Sequence, residues 1–235
     1  MAIFQEQSGL FQQRLEALYQ TDADGRLVCT NEWEARPVPR FHLMRTAQGA
    51  FFRCQAGLPD EIVRRLEALC RQEPAARFSE PLPVHYEPYL AVLTEHAPIQ
   101  KLWSGPAYRF LQEVAPQGET TFLTPQNADL LRDRMADWLP DVPHRQPFVA
   151  VVKDGAAVSV CASVRITDAV HCAGVETHPD YRHRGYALAA VARWANAVRA
   201  QGATPFYSTS WENRASQRIA QHLKTTLTAV DFHVT

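Results

Sequence analysis

A basic turn between a strand-like run and an alanine-rich run is the segment best suited to chemistry. Residues 174–187 read Gly-Val-Glu-Thr-His-Pro-Asp-Tyr-Arg-His-Arg-Gly-Tyr-Ala, with a predicted strand before Pro179 and a predicted helix from Gly185. The first N–H groups of a helix lack intrahelical partners, and the helix dipole adds positive charge there. The sequence therefore predicts a pyrophosphate pocket in which Gly185 permits close approach and Arg182 and Arg184 donate charge-assisted hydrogen bonds.

The elements that must position this turn are predicted from hydrophobic periodicity and turn residues. The C-terminal part predicts the order helix, two hairpin strands, strand, helix, strand, helix, strand. The segments are 127–139 (helix), 148–152 and 158–166 (strands around the Asp154-Gly155 turn), 170–177 (strand), 185–200 (helix), 205–208 (strand), a helix capped by Asn213, and 226–234 (strand). A strand–helix–strand crossover requires a parallel pair and a hairpin an antiparallel one, so we expect a mixed sheet.

Composition limits the classes of function. The chain has 235 residues and a formal net charge of −1, which disfavours a general role on nucleic acids or membrane surfaces. No apolar stretch approaches the roughly 20 residues needed to span a bilayer. The five cysteines are widely spaced without a C-x-x-C pair, so we expect reduced thiols, a cytoplasmic location and no metal site.

The N-terminal part predicts mixed α and β structure without obvious chemistry. A helix is predicted from Phe11 to Tyr19, strands at 41–46 and 50–54, and a helix that begins near Asp60. Proline-rich stretches at 73–88 and 140–147 are typical of connections.

Three features of the C-terminal half resemble the GNAT N-acetyltransferases. The first is the basic turn, in which Arg182, Gly185 and Ala187 fit the spacing Arg/Gln-x-x-Gly-x-Gly/Ala. The second is the long helix after it. The third is 208–216, which is similar to the family's Asn-x-x-(Ala/Ser) segment at the last helix. The resemblance covers roughly residues 118–235, and the three features occur in the family's order.

The resemblance implies a fold, a cosubstrate and a reaction. The expected fold is α/β (α+β), with a mixed, largely antiparallel sheet flanked by helices. Residues 118–235 would form the acetyltransferase domain, and residues 1–117 an additional α+β domain whose elements also permit a degenerate GNAT-like copy. The reaction would be direct transfer of an acetyl group from acetyl-CoA to a primary amine. Positions expected to contact the cofactor are Val175, Glu176, Thr177, Arg182, His183, Arg184, Gly185, Tyr186, Ala187, Asn213 and Ser216.

The candidate bases for deprotonating an amine lie on or just after the predicted strand 170–177. Strand alternation puts Glu176 and His178 on one face and His171 on the other. We favour Glu176, which is closest to the acetyl position that the resemblance implies, and keep His171 as the second candidate. A surface carboxylate or an ion pair with Arg182 also accounts for Glu176.

Several alternatives remain at other positions. Asn213 is explained by helix capping alone, and Tyr207 and Trp211 fit either an acceptor pocket or the core. His171 beside Cys172 has no further ligand at metal-site spacing, so a non-ligand role is favoured.

Two departures from the family bear on catalysis. The tyrosine that members often place about seven positions after the asparagine is missing, because this neighbourhood is Ile219, Ala220 and Gln221. Leu223-Lys224-Thr225 replaces the usual Leu-Gly-Phe. A non-catalytic acyl-CoA-binding or regulatory module is therefore the alternative function. The acceptor, a small molecule or a protein amine, and the oligomeric state are not specified by the sequence.

Overall fold

The computed structural model describes the backbone of residues 2–235 and the side chains from residue 9 onward. The α-helices are α1 (Ala2–Leu18), α2 (Asp60–Gln72), α3 (Tyr86–His96), α4 (Tyr186–Ala200) and α5 (Arg214–His222). The strands are β1 (Tyr19–Thr21), β2 (Leu27–Thr30), β3 (Phe41–Thr46), β4 (Gly49–Cys54), β5 (Leu102–Arg109), β6 (Thr121–Phe122), β7 (Phe148–Lys153), β8 (Ala156–Ile166), β9 (Val170–Thr177), β10 (Thr204–Ser208) and β11 (Thr226–Val234). Short 3₁₀ helices span Ala128–Leu131, Ala136–Asp141 and Pro179–Tyr181.

The chain divides into two compact units. The first comprises the chain up to Tyr108 together with Ser208–Arg214 and Leu227–Thr235. The second comprises Arg109–Tyr207 and Ala215–Thr226. This division differs from a single boundary between residues 117 and 118, because β11 pairs antiparallel with β3 in the first unit. Independent domains at 1–117 and 118–235 stay a prediction.

The first unit contains the sheet β4-β3-β11-β5 and the separate hairpin β1-β2. Helix α2 buries one apolar face, as its periodicity predicts, and packs with α3 against β3 and β11. The buried core of this layer is Phe41, Leu43, Cys54, Leu58, Ile62, Leu66, Cys70, Tyr89, Val92, Leu93, Phe232 and Val234.

The second unit contains the strands β10-β9-β8-β7-β6 in that order. The pair β9–β10 is parallel, whereas β6–β7, β7–β8 and β8–β9 are antiparallel. The mixed, largely antiparallel sheet is thereby confirmed. Strand β8 has two unlike faces, as its alternation predicts: Val160 and Ala162 pack with the 3₁₀ segment, and Ser163 faces Trp194 of α4.

The helix predicted at 127–139 was wrong. Two 3₁₀ helices, Ala128–Leu131 and Ala136–Asp141, occupy this region, and the second contains Pro140. A proline ring removes a backbone donor and crowds the preceding turn, which disfavours a continuous α-helix. The apolar residues nevertheless serve the expected purpose, since Leu131 and Met135 are buried in the core of the second unit.

Candidate functional site

The backbone conformation of the basic turn favours the binding of an anion. His183 has a φ of 62° and Gly185, the N-cap of α4, has a φ of 78°. Left-handed residues next to helical ones turn successive N–H groups toward a common concavity. The glycine was expected, but the left-handed histidine was not; histidine is one of the few residues enriched in that conformation.

Helix α4 begins directly at this turn and leaves its first N–H groups unused. The N–H of Ala189 donates to the Gly185 carbonyl at 3.1 Å, which is the first bond of the helix. The preceding amides, those of Tyr186 to Leu188, therefore have no acceptor within the helix. They carry the positive end of the helix dipole. A Cβ built on Gly185 would have no protein atom within 4 Å apart from its chain neighbours, so the space beside this glycine is open.

Cations from three segments surround the turn. The guanidinium groups of Arg134 and Arg184 lie 5.1 and 5.2 Å from the ring centroid of Tyr181. The ammonium group of Lys153 lies 5.7 Å from the ring centroid of Tyr186. Arg184 was predicted, whereas Arg134 and Lys153 were missed, because only folding brings the 3₁₀ segment and the β7–β8 hairpin to this turn.

The side chain of Arg182 makes a different contact from that of Arg184. Its Nε donates to the Thr177 carbonyl at 3.3 Å, across the 3₁₀ turn Pro179–Tyr181. This bond ties the turn to the end of β9. The hydroxyl of Thr177 lies 2.7 Å from that of Ser159 on β8, which fixes the last residue of the strand.

Strands β9 and β10 part in front of the turn. Their parallel pairing runs from Thr204 opposite Val170 to Phe206 opposite Cys172, and ends there. On its other side β9 continues to pair with β8 as far as Thr177. In the described part of the chain, residues 173–177 therefore lack a strand partner on the β10 side. This unpaired stretch includes Val175, Glu176 and Thr177, the positions predicted to contact the cofactor.

Glu176 projects from β9 toward the 3₁₀ helix Ala136–Asp141. Its Oε2 accepts a hydrogen bond of 2.7 Å from Nε1 of Trp138, and the residue is exposed. Gly174, two positions earlier on the same face, lies beneath the indole, since a Cβ there would come within 3.2 Å of Trp138 Cη2. The carboxylate thus borders the open part of β9, and Trp138 is a partner that sequence reasoning missed.

His171 lies on the opposite face of β9, as the alternation predicts. Its Nδ1 is 2.8 Å from the hydroxyl of Ser163, and that hydroxyl accepts a hydrogen bond of 2.9 Å from Nε1 of Trp194. The residue is buried, and burial lowers the pKa of its imidazole, an effect that Asp168 partly opposes. The structure therefore does not bring His171 and Glu176 together, and the imidazole belongs to a polar network under α4.

His178 follows β9 and lies at the start of the turn. Its backbone N–H donates to the Val158 carbonyl at 2.9 Å, and its Nδ1 lies 3.9 Å from the Asp180 carboxylate.

The remaining predicted positions lie around α5. The buried Tyr207 of β10 donates its phenolic hydrogen to Ser216 Oγ at 2.9 Å, which joins β10 to the first turn of α5. Asn213 directly precedes that helix, and its N–H donates to the Ser210 carbonyl at 3.2 Å. Trp211, in the first unit, donates its backbone N–H to Ser104.

The side chains that commonly bind metals do not cluster in the part of the chain that the structure describes. Among them, no group of three or more histidine, cysteine, aspartate or glutamate side chains could hold a metal ion. The five cysteines form no disulfide bond, and burial raises the pKa of Cys161 well above its usual value. Within the same residues, no helix combines the length and apolar character required to cross a membrane.

Comparison with known families matches residues 148–225 to the family described as GNAT acetyltransferase. The matched segment contains β7 to β10, the basic turn, α4 and α5. It therefore includes nearly every element that forms the site described above. No curated protein matches the chain.

Solved structures extend the likeness beyond that segment. A GCN5-related N-acetyltransferase-like protein from Streptococcus suis is 16% identical with a TM-score of 0.50, and the match covers 84% of this chain and 85% of that one. A protein described as belonging to the GNAT acetyltransferases, from Novosphingobium aromaticivorans, is 15% identical with a TM-score of 0.47, over 58% of this chain and 66% of its own length. The aminoglycoside N-acetyltransferase AAC(6')-Iy, in complex with CoA, is 19% identical with a TM-score of 0.39, over 47% of this chain and 92% of that one. The first likeness shows a shared fold that includes part of the N-terminal half.

Proposed function

We propose that the chain transfers an acetyl group from acetyl-CoA to a primary amine, because residues 148–225 match the GNAT acetyltransferase family. The observation that carries the proposal is the turn before α4. There, left-handed backbone at His183 and Gly185 precedes helix amides without an intrahelical acceptor, and the guanidinium of Arg184 lies on the nearby Tyr181 ring. An anion of two phosphates suits this arrangement, because both the dipole and the side chains favour negative charge.

The pyrophosphate would lie against the amides of residues 183–187. Gly185 suits this position because its φ of 78° is one that a residue with a side chain rarely adopts. Arg184, stacked on Tyr181, would donate to phosphate oxygens at little cost in side-chain order, because the ring already restrains it. Arg182 would support the turn from the strand side through Thr177.

The opened edge of β9 would hold the pantetheine arm. Val175, Glu176 and Thr177 lie where β10 has parted from β9, and an extended chain could pair there with main-chain groups of β9 that face away from β8. Acetyl-CoA supplies the activated thioester. A main-chain N–H of β9 near the acetyl carbonyl would stabilise the negative charge that its oxygen gains during transfer. Asn213 and Ser216, at the start of α5, remain the proposed further contacts.

Glu176 is the proposed base. An amine must lose a proton before it attacks, and a carboxylate at the edge of the opening can accept it directly or through a water molecule. Glu176 is exposed and lies on the face that carries Trp138, whereas His171 is buried and engaged with Ser163. The protein's contribution would therefore be orientation, proton acceptance and electrostatic stabilisation.

Calorimetry with acetyl-CoA and a pair of glycine variants tests the proposal. Gly185 and Gly202 stand at opposite ends of α4, have φ values of 78° and 84°, and would each place a Cβ in open space. Alanine at either position should cost about 1–2 kcal/mol of stability through the same backbone strain. Only Gly185→Ala should weaken acetyl-CoA binding, by at least tenfold, because only that Cβ covers the turn.

A second assay follows thiol release from acetyl-CoA with amino acids, polyamines, aminoglycosides and lysine peptides as acceptors. Turnover with at least one amine, and its loss in Glu176→Gln, would support transfer. Equal binding by both alanine variants, or no binding by the wild-type protein, would refute the proposed site.

A non-catalytic acyl-CoA-binding module is the second candidate function. The observation that favours it is α5, where Ile219, Ala220 and Gln221 stand where the family often has a tyrosine acid. This candidate expects acetyl-CoA binding that depends on Gly185 but no thiol release with any amine. Turnover that disappears on changing Glu176 would exclude it.

A further inference from the structure

Trp138 gives the Glu176 carboxylate a fixed place on the exposed face of β9. Its indole N–H donates to Oε2 at 2.7 Å, although the two residues lie 38 positions apart in the chain. A hydrogen bond to an ionised acceptor is shorter and stronger than one between neutral groups. Without this bond, an exposed glutamate would occupy several rotamers.

The indole is itself held from several sides. The Phe148 ring meets it edge to face with centroids 5.6 Å apart, and the guanidinium of Arg145 lies 5.5 Å from its centroid. Arg145 is anchored in turn by an ion pair of 2.9 Å with Asp141, and both side chains are largely buried. Gly174 lies beneath the ring, and a Cβ there would clash with Val164 and crowd Trp138.

The indole donor is thus packed on several sides, whereas the residue that carries the acceptor is exposed. We propose that Trp138 is a positioning residue for acetyl transfer: its Nε1–H occupies Oε2 of Glu176 and thereby aims Oε1 at the amine. This inference rests on the proposed function. In the step it serves, Oε1 takes a proton from the ammonium form of the acceptor, which leaves a neutral amine and a protonated carboxyl group.

A purely structural role for Trp138 makes a different prediction from a positioning role. The same bond would then only fasten the 3₁₀ helix to β9, and the loss of Trp138 and the loss of Glu176 would act independently on catalysis. A positioning role makes them act as one unit, since an indole without a carboxylate has nothing to aim.

A double-mutant cycle separates the two roles. Trp138→Phe keeps an aromatic ring and removes the donor, so kcat should fall about tenfold while the KM for acetyl-CoA stays within about twofold. Glu176→Gln should lower kcat about a hundredfold. The double variant should be no slower than Glu176→Gln alone. Losses that multiply would overturn the inference.

The matched control is Trp194→Phe, which removes an indole N–H from the other face of the same sheet, where it donates to Ser163. Its kcat should change less than twofold at equal folded fraction. A loss as large as that of Trp138→Phe would assign the effect to general packing, or to His171, and would overturn the inference.

An NMR measurement reports the contact independently of activity. In the uncomplexed protein, Glu176→Gln should move the indole ¹H–¹⁵N resonance of Trp138 and leave that of Trp194 in place. An unmoved Trp138 resonance would overturn the inference even if the enzyme is active. Wild-type protein that fails to bind acetyl-CoA, or binds it without turnover to any amine, would instead refute the proposed function and the catalytic role of Trp138 with it.

Discussion

Both units of the chain contain a cluster of charged side chains, but the cluster is buried in the first unit and exposed in the second. In the first unit, Arg14 and Asp231 are buried and joined by two hydrogen bonds of 2.8 and 2.6 Å, with His42 Nε2 3.2 Å from the same carboxylate. In the second unit, Arg182 and Arg184 are exposed at the basic turn.

The difference shows which charges are available to a ligand. A buried charge costs so much solvation that it must be neutralised inside the protein, as Asp231 is by Arg14; these contacts hold the pKa of the Asp231 carboxyl well below its usual range. Arg184 rests on an aromatic face instead, and an aromatic ring restrains a cation without cancelling its charge. The first cluster serves stability, and the second is suited to binding an external anion.

The largest expected change in stability comes from breaking the buried ion pair between Arg14 and Asp231. Asp231→Asn should destabilise the protein by about 3–5 kcal/mol, because it leaves the Arg14 charge buried without its counter-ion. Urea denaturation measures the change. Replacing both residues, Arg14→Met with Asp231→Leu, should cost less than either single change. A single-variant loss below about 1 kcal/mol would show that the buried pair does not matter for stability.

The prediction of intermediate size concerns the loss of folding stability at acidic pH. His233 stacks on Trp103 at 4.8 Å and lies 5.7 Å from His42; burial, with a smaller contribution from His42, lowers the pKa of its imidazole from 6.5 to about 3. Between pH 6.5 and about pH 3, His233 is therefore protonated in the unfolded chain but largely unprotonated in the folded chain. Stability should fall with decreasing pH in this window, by at most about 1.4 kcal/mol per pH unit from this group.

His233→Gln should flatten that slope, whereas His222→Gln, which alters a histidine in the last turn of α5, should leave it unchanged. Denaturation curves at a series of pH values between 4 and 7 give the slopes. Equal slopes in all three proteins would place the acid sensitivity outside the His233 site.

The smallest expected effect on stability is at the exposed turn. Arg184→Gln should leave the melting temperature unchanged and weaken acetyl-CoA binding about tenfold, because it removes a charge-assisted contact but no buried group. Arg132→Gln is the control, an exposed arginine that pairs with Asp129. If both variants bind acetyl-CoA like the wild type, the cations around Tyr181 have no part in the site.

Local signals predicted the elements of the second unit well. The alternation of β8, the Asp154-Gly155 turn, the run at 170–177 and the alanine-rich α4 each depend on neighbours within a few positions. The predicted 127–139 helix failed because apolar periodicity shows that Leu131 and Met135 are buried but does not distinguish one α-helix from two short 3₁₀ helices. The predicted phosphate turn, with Gly185 left-handed ahead of α4, likewise depends on adjacent residues.

The sequence alone determined the order of the strands and α-helices from β7 to β11, the glycine and arginines of the turn, and the opposite faces of Glu176 and His171, because period and spacing are local properties of a chain. Only the tertiary structure decided which side chains that are distant in the sequence come into contact. It brought Trp138 to Glu176, Arg134 to Tyr181 and Asp231 to Arg14, the last pair 217 positions apart. Such pairings depend on how strands pack and where they part, and one-dimensional spacing carries no record of that geometry.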